Sequence, residues 1–416
     1  MRGGPIGRRR RSGGGPIGRR RRSGGGPIGR RRRSGGGGTA LVIVPDYHPT
    51  MGGTTRQAST QARGLADSGV PVAIVTRRYQ RSWRRREVVD GLAVRRFGPP
   101  GRTAGAEKLA LLALWLWLVP RRRRVRSIQT LMYADFAAVA VLAGLGSRTT
   151  VVWAAHGEAT DVIGPAPDPL RRLQRRARRA LIGRCQQVAL TEAMRRELLQ
   201  LGARRVEVIP VPVDGHRFRP PTAPERERAR RALGFGEDDL VVAYTGRFDA
   251  AKGLDRLVAA GARLVDAGAP VRLLLVGGGD ASALGDAIDR YGMAPRVVLP
   301  GVVEDVERYL WGADVFVLPS VREGLSNSLA EAMACGLACV ASVEAGGDQV
   351  LGGGAGVVPP TSSVDDLAAA LLELAGDRAR CRQLGRRAAQ RAEEFRLTEV
   401  TRRYQRLAGT PLPAGT

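Results

Sequence analysis

The chain has 416 residues, 43% hydrophobic and 25% charged, with a formal net charge of +28. At roughly 150–200 residues per domain this length predicts two domains, and the wealth of Ala, Leu and Val excludes a disordered chain. Residues 1–38 hold thirteen Arg and no acid, leaving 54 bases against 39 acids in the remainder, and Lys108 and Lys252 are the only lysines. Arg in place of Lys follows a GC-rich genome, and with 5% aromatic residues it argues against a base-stacking surface for nucleic acid.

Residues 4–36 are three copies of GPIGRRRRSGG. Each copy offers one Ile to bury, so the segment is expected to be disordered. Three explanations compete: a start codon upstream of the real one, a solvated basic tail, or an arm for anionic lipid or RNA. No apolar core follows the charges, so it is not a secretory signal. From Thr39 the text changes. TALVIV (39–44) predicts a buried strand, a loop carries Gly52 and Gly53, a helix runs through Leu65, and PVAIVT (71–76) predicts a second strand. That order is a βαβ unit. Further strands are expected at 93–97, 128–132, 150–154, 187–190 and 206–209.

The apolar run Leu109 to Val119 has eleven residues, short of the roughly 20 that span a bilayer. It predicts a buried helix. The alternative is a helix in the membrane interface, with Trp115, Trp117 and Arg121 to Arg124 at headgroup level. Residues 168–182 predict another helix, capped by Asp168, with Pro169 at its first position and a stripe of Leu170, Leu173, Ala177 and Leu181. Its six Arg form either a solvated face or a contact with an anionic membrane or acceptor. Residues 210–237 connect to a second βα series, with strands at 240–246, 272–279, 297–301, 314–320, 338–342 and 356–360, and helices from 365 to 407. The expected boundaries are a tail at 1–38, a first domain at 39–212, a linker at 213–237, a second domain at 238–385 and a helical tail at 386–416. Two doubly wound halves place a cleft between the carboxyl ends of their sheets.

Several segments carry chemistry. In TGRFDAAKG (245–253) a strand ends, Gly246 permits close backbone approach, and Arg247 and Lys252 bracket a loop that enters a helix. Two cations beside a helix N-terminus suit a diphosphate, and Lys252 offers a compact charge where an Arg fork does not fit. VGGGD (276–280) is a strand followed by Gly277, Gly278 and Gly279; it lacks a dinucleotide fingerprint and fits a loop near the cleft. EGLSNSLAE (323–331) spans a loop and the start of a helix, with Glu323 before the helix and Glu331 about one turn inside. His156 follows a strand and sits at the expected cleft rim. Cys185, Cys335, Cys339 and Cys381 form no CxxC pair, and with three His in the chain no zinc spacing appears. Cys335 and Cys339 read as small buried residues, in a reducing, cytoplasmic setting. No G-x-S-x-G, P-loop or HExxH is present, so hydrolase and kinase templates fail.

TGRFDAAKG, LLLVGGG and EGLSNSLAEAMACG, in this order and spacing, resemble the donor-binding half of family-4 retaining glycosyltransferases, the bacterial group-1 type. MGG (51–53), AAHG (154–157), LTEAMRRELLQLG (190–202) and VIPVPVD (208–214) extend the likeness over nearly everything from residue 39 onward. The resemblance implies an α/β GT-B fold, two Rossmann-like domains facing across a donor and acceptor cleft. It implies that Arg247 and Lys252 hold the donor diphosphate, Glu323 the sugar hydroxyls and Glu331 the ribose. Backbone amides of Gly324, Leu325, Ser326 and Asn327 would complete the cradle beside Gly277 and Gly278. His156 would orient the sugar, and Gly52 and Gly53 would lie against phosphate and acceptor. His156, Glu323, Arg247 and Lys252 are thus the expected catalytic set. The implied reaction is metal-independent and cofactor-free: a sugar passes with retention from a nucleotide-diphosphate sugar to a glycolipid, polysaccharide or cell-envelope acceptor. A small soluble acceptor such as inositol phosphate is the alternative, and a non-enzymatic lipid or nucleic-acid binder is the reading from another class. The location expected is cytoplasmic, with peripheral contact at an anionic membrane left open. VIPVPVD and ACGLACVAS depart from the family pattern at structural positions, whereas Asp348-Gln349, replacing a Glu-Val pair, leaves one donor-loop contact open.

Overall fold

The computed structural model describes residues 38–50, 53–131, 134–144, 150–154, 169–321 and 325–407. The Arg-rich repeat and Asp168 lie outside the described residues. The first sheet holds β1 (Thr39–Ile43), β2 (Val72–Arg77), β3 (Arg86–Val89), β4 (Leu92–Phe97), β5 (Val125–Leu131), β6 (Thr150–Ala154), β7 (Gln186–Ala189) and β8 (Val206–Val208), in the order β3-β4-β2-β1-β5-β6-β7-β8. All neighbours pair in parallel except β3 with β4. β1 is a near-continuous apolar run because helices cover both faces of a parallel sheet. The second sheet holds β9 (Leu240–Phe248), β10 (Val271–Gly279), β11 (Val297–Gly301), β12 (Val315–Leu318) and β13 (Ala338–Ala341), all parallel, in the order β11-β10-β9-β12-β13. The strand order reverses at β9, so the crevice at its carboxyl end is where such sheets take ligands. Two Rossmann-like halves are therefore present, as expected.

Four features differ from the sequence expectation. β3 was not foreseen; it is an edge strand with alternating exposure, turned back by Asp90 (φ 49°) and Gly91 (φ 79°). An Asp-Gly pair with both residues at positive φ is the usual two-residue hairpin turn. The strand expected at 356–360 is reduced to a single bridge, Val340 with Val357, because Pro359 and Pro360 have no N–H to continue a ladder. The helix Ala104–Leu118 is not buried. Ala106, Ala110, Leu114 and Leu118 face the core, while Leu109, Leu112, Trp115 and Leu116 face outward at 56%, 50%, 37% and 58% exposure. Trp117 packs inward against Phe97, with Arg95 over its ring. In the helix Pro169–Ile182, which packs on the helix Ala134–Gly144, Leu173 and Ala177 are exposed instead of lining the core.

The chain passes between the halves twice, and the two passes run side by side. Val213 N–H donates to the Phe395 carbonyl at 2.7 Å, and Leu397 N–H to the Val213 carbonyl at 2.9 Å. The last helix, Leu397–Leu407, then returns to the first half and packs on the helix Gly53–Asp67. Val400 and Tyr404, both fully buried, share a core with Ala58 and Ala62. A Cβ at Gly64 would stand 2.2 Å from Thr401 Oγ1, so this helix contact needs glycine.

After the first pass, the helix Ala223–Ala232 opens with a capping box of Thr222 and Glu225. Glu225 also accepts from both Arg219 Nη atoms at 3.0 and 2.7 Å, and these bonds with those from Thr222 hold its carboxyl well below the usual range. Among the described residues no helix is long and apolar enough to cross a membrane. None of the four cysteines is in a disulfide and all are buried; burial pushes the Cys185 thiol up to about 12 and Cys381 to about 11.

Candidate active site

Three segments far apart in the chain meet at the carboxyl edge of the second sheet, on the adjacent strands β10, β9 and β12. Beyond Val276, β10 continues as Gly277–Gly279 in register with Gly246–Phe248 of β9. A Cβ on Gly277 would lie 1.8 Å from the Gly246 carbonyl oxygen, and one on Gly279 2.3 Å from that of Phe248. The glycines are thus required by backbone approach within the sheet. This brings the strand ends together under the Arg247 loop and gives Gly277 and Gly279 a structural reason independent of any ligand, whereas a Cβ on Gly278 would meet only a Val302 methyl, at 2.7 Å.

The loop after β9 is built around Asp249. Its Oδ1 accepts from Ala251 N–H at 3.1 Å, its Oδ2 from Arg247 Nε at 2.9 Å, and its carbonyl from Lys252 N–H at 3.0 Å. Tyr244 Oη donates to the Arg247 carbonyl at 3.0 Å. Gly253 then takes φ 65° and starts the helix Leu254–Asp266; a Cβ there would meet the Pro319 carbonyl at 2.5 Å. Arg247 is 77% exposed at its side chain and Lys252 half-buried, so both cations are held at the cleft surface by a folded turn.

Beyond β12, Ser326 caps the helix Asn327–Ala334, its Oγ accepting from Leu329 N–H at 3.4 Å. Thr245 Oγ1 and Ser320 Oγ, at the ends of β9 and β12, are buried hydroxyl oxygens with no hydrogen-bond partner among the described residues. Sequence reasoning did not single them out, and Thr and Ser at strand ends carry no spacing signal. Such oxygens suit a polar ligand at this edge.

Glu331 is 6% exposed, inside the second half. Burial pushes its carboxyl above the usual range. Arg56, its closest cation, and then Arg217 pull it back, while Glu307 adds to the rise. Arg56 Nη1 lies 3.4 Å from Glu331 Oε1 and comes from the helix Gly53–Asp67 of the first half. Gln349 makes a second cross-half contact, its Oε1 accepting from Ala193 N–H at 3.3 Å. The sequence leaves the contact made at Gln349 open and gives Arg56 no role. The signal for Arg56 is faint, since an Arg on a helix surface is ordinary.

Of the expected site residues, Arg247, Lys252, Gly277, Gly278, Leu325, Ser326, Asn327 and Glu331 sit at this edge. Gly53 begins the helix that carries Arg56. His156, Gly52, Glu323 and Gly324 lie outside the described residues. A cavity of about 190 Å³, lined by Val213, Phe218, Ala334, Glu393 and Arg396 among others, lies at the two chain crossings; none of the expected site residues lines it. Among the described residues no group of three or more His, Cys, Asp or Glu could hold a metal ion.

Residues 51–217 match the model described as Glycosyltransferase Family 4, and residues 239–377 the one described as Glycosyl transferases group 1. The chain is 33% identical over 247 residues to a D-inositol 3-phosphate glycosyltransferase of Nocardia farcinica, covering 56% of this chain and 54% of that protein. It is 31% identical over 190 residues to a GDP-mannose-dependent monoacylated phosphatidylinositol monomannoside mannosyltransferase of Corynebacterium glutamicum, covering 43% and 49%. Against these two the match spans about half of the relative's length. A 2-deoxystreptamine N-acetyl-D-glucosaminyltransferase of Streptomyces fradiae is 31% identical over 319 residues, covering 70% of this chain and 75% of that one. Among solved structures, the sucrose-phosphate synthase of Thermosynechococcus elongatus superposes with a TM-score of 0.72 at 22% identity, covering 89% of this chain and 98% of that one. Anabaena HepE, solved with UDP and glucose, gives 0.68 at 18%, covering 89% and 99%. With both halves matched in order, and the meeting of three motifs at one sheet edge, the chain belongs to the family-4 glycosyltransferases of GT-B fold.

Proposed function

We propose that the protein transfers a sugar, with retention, from a nucleoside-diphosphate sugar to a lipid-linked or cell-envelope acceptor at the cytoplasmic membrane face. The observation that carries the donor side is the convergence of Arg247, Lys252 and the capped helix Asn327–Ala334 on adjacent strand ends. A departing nucleoside diphosphate gains one further negative charge, which fixed cations and first-turn amides stabilise in place. Arg247 and Lys252 then supply the positive charge that the reaction needs, with no separate cofactor or metal. Arg247 rests in a surface ion pair with Asp249, which is worth little and yields to a phosphate. In this reading Glu331 takes the ribose hydroxyls, Glu323 the sugar hydroxyls, and His156 orients the sugar. A relative solved with UDP and glucose supports a nucleotide-sugar donor. Melting the protein with UDP-, GDP- and ADP-sugars tests it. One of them is expected to raise Tm by about 5 °C at saturating concentration. A flat response to the whole panel would remove the donor assignment.

The acceptor side rests on the outward face of the helix Ala104–Leu118. Leu109, Leu112 and Leu116 follow one another at helical spacing, Trp115 lies beside them, and Arg121 to Arg124 are exposed just beyond. An apolar helical face bordered by basic residues fits an anionic bilayer surface. Leu173, at 64% exposure, and the exposed Arg172, Arg176 and Arg179 extend it from a nearby helix. The full chain is expected to float with vesicles containing phosphatidylglycerol, less so at 1 M salt where the Debye length falls to about 3 Å. The double variant Leu112→Glu/Leu116→Glu should cut flotation about fivefold or more; equal flotation would discard the membrane reading. The names of two relatives favour a second reading, a soluble cyclitol acceptor. It is distinguished by transfer to inositol phosphate without vesicles.

A further inference from the structure

Arg56 and Glu331 lie 275 positions apart, on different halves of the molecule, yet their side chains meet at 3.4 Å across the cleft. The two ends of this contact are unequal. The Glu331 side chain is 8% exposed and that of Arg56 43%. A buried carboxylate without a cation is strongly disfavoured, whereas a guanidinium that stays hydrated on one side meets it at small desolvation cost.

We propose that Arg56 is a positioning residue for the donor. By reaching across the cleft it keeps Glu331 charged and aimed, so that nucleotide binding and the approach of the two halves are coupled. This rests on the reading of Glu331 as a donor ligand. The geometry leaves room for it. A carboxylate has about four acceptor sites, and one long contact from Arg56 occupies a single site, so two ribose hydroxyls still find acceptors.

Other charged groups around Glu331 do not replace Arg56. Arg217 is bound to Glu307 at 2.6 Å and to the Glu304 carbonyl at 2.7 Å, with Asp214 nearby, so its charge is largely neutralised locally. Glu307, on the helix Val306–Trp311, opposes ionisation of Glu331. Cys335, at the end of the helix that carries Glu331, is buried, and burial keeps its thiol protonated.

The sign of the pH effect follows. Glu331 accepts hydroxyl protons when ionised, so affinity falls as pH drops through its pKa. Burial already raises that pKa and Arg56 lowers it. Removing Arg56 therefore moves the acid limb of nucleotide affinity to higher pH.

The experiment is a double-mutant cycle on the full chain, measured by calorimetry from pH 4.5 to 8 with whichever of UDP, GDP or ADP binds most tightly. Arg56→Ala is expected to weaken binding about tenfold at pH 7 and shift the acid limb upward. Arg56→Lys should recover most of both. Glu331→Gln should weaken binding and flatten the limb, and Arg56→Ala/Glu331→Gln should be no weaker than Glu331→Gln alone. If Glu331→Gln weakens binding while Arg56→Ala leaves it unchanged, or adds independently to it, the coupling is wrong and the donor role of Glu331 stands. If Glu331→Gln binds like the wild type, both readings fall. A change in Tm on Arg56→Ala with an unmoved acid limb would make the contact merely structural and overturn the proposal.

Discussion

Lys252→Ala is expected to lower kcat/KM by about a thousandfold while Tm moves by less than about 2 °C. Lys252 closes the short turn Ala250–Lys252, whose backbone is held by Asp249, accepting from Ala251 N–H, and by the left-handed Gly253. The turn therefore survives truncation, and what is lost is a compact charge beside the strand-end glycines. Lys252→Arg should recover only part of the rate, because a planar fork does not occupy the position of an ammonium. Steady-state kinetics on the best donor, with thermal melts of both variants, decide it. A wild-type rate in Lys252→Ala would remove Lys252 from the diphosphate site.

Asp314→Ala should act in the opposite sense, with a large loss of stability and little change in chemistry. Asp314 precedes β12, at the end of the sheet away from the cleft. Its Oδ1 accepts from Arg226 Nη2 at 2.6 Å; its Oδ2 accepts from Val241 N–H at 2.8 Å and Arg230 Nη1 at 3.2 Å, with Arg378 Nη1 at 3.5 Å. One carboxylate thus ties two helices to the start of β9. Arg230 is 9% exposed and would be left with a buried charge short of its counterion. Removing one member of such a buried pair costs about 3–5 kcal/mol, which lowers Tm by roughly 5 °C at this chain size. A melt within 2 °C of wild type would mean that the neighbouring carbonyl acceptors of Arg230 suffice.

Most of the central strands were legible because a parallel sheet covered on both faces must be written as short apolar runs, and the runs at 240–246, 272–279 and 338–342 are of that kind. The motif residues were legible for a similar reason: Gly277 and Gly253 occupy positions where any side chain would strike backbone, and one at Gly246 would strike the Tyr244 ring. What could not be read were contacts between distant segments. Nothing local marks Arg56 as the neighbour of Glu331, or Gln349 as the neighbour of Ala193. Apolar periodicity also failed to say which face of the helix Ala104–Leu118 is covered, since it is apolar all round. The β3 edge strand had a usable signal in Asp90-Gly91 that propensity alone passes over.

The return of the helix Leu397–Leu407 to the first half bears on how the molecule is made. Val400 and Tyr404 complete a core whose other members, from Ala40 to Ile209, were all translated before the second half began. During synthesis the first half must leave that side of its sheet uncovered until nearly the whole chain has emerged, whereas the second half contains all five of its strands well before the end. The sheet whose strands are made first is therefore the last to be fully covered, by a helix that follows every strand of the second sheet.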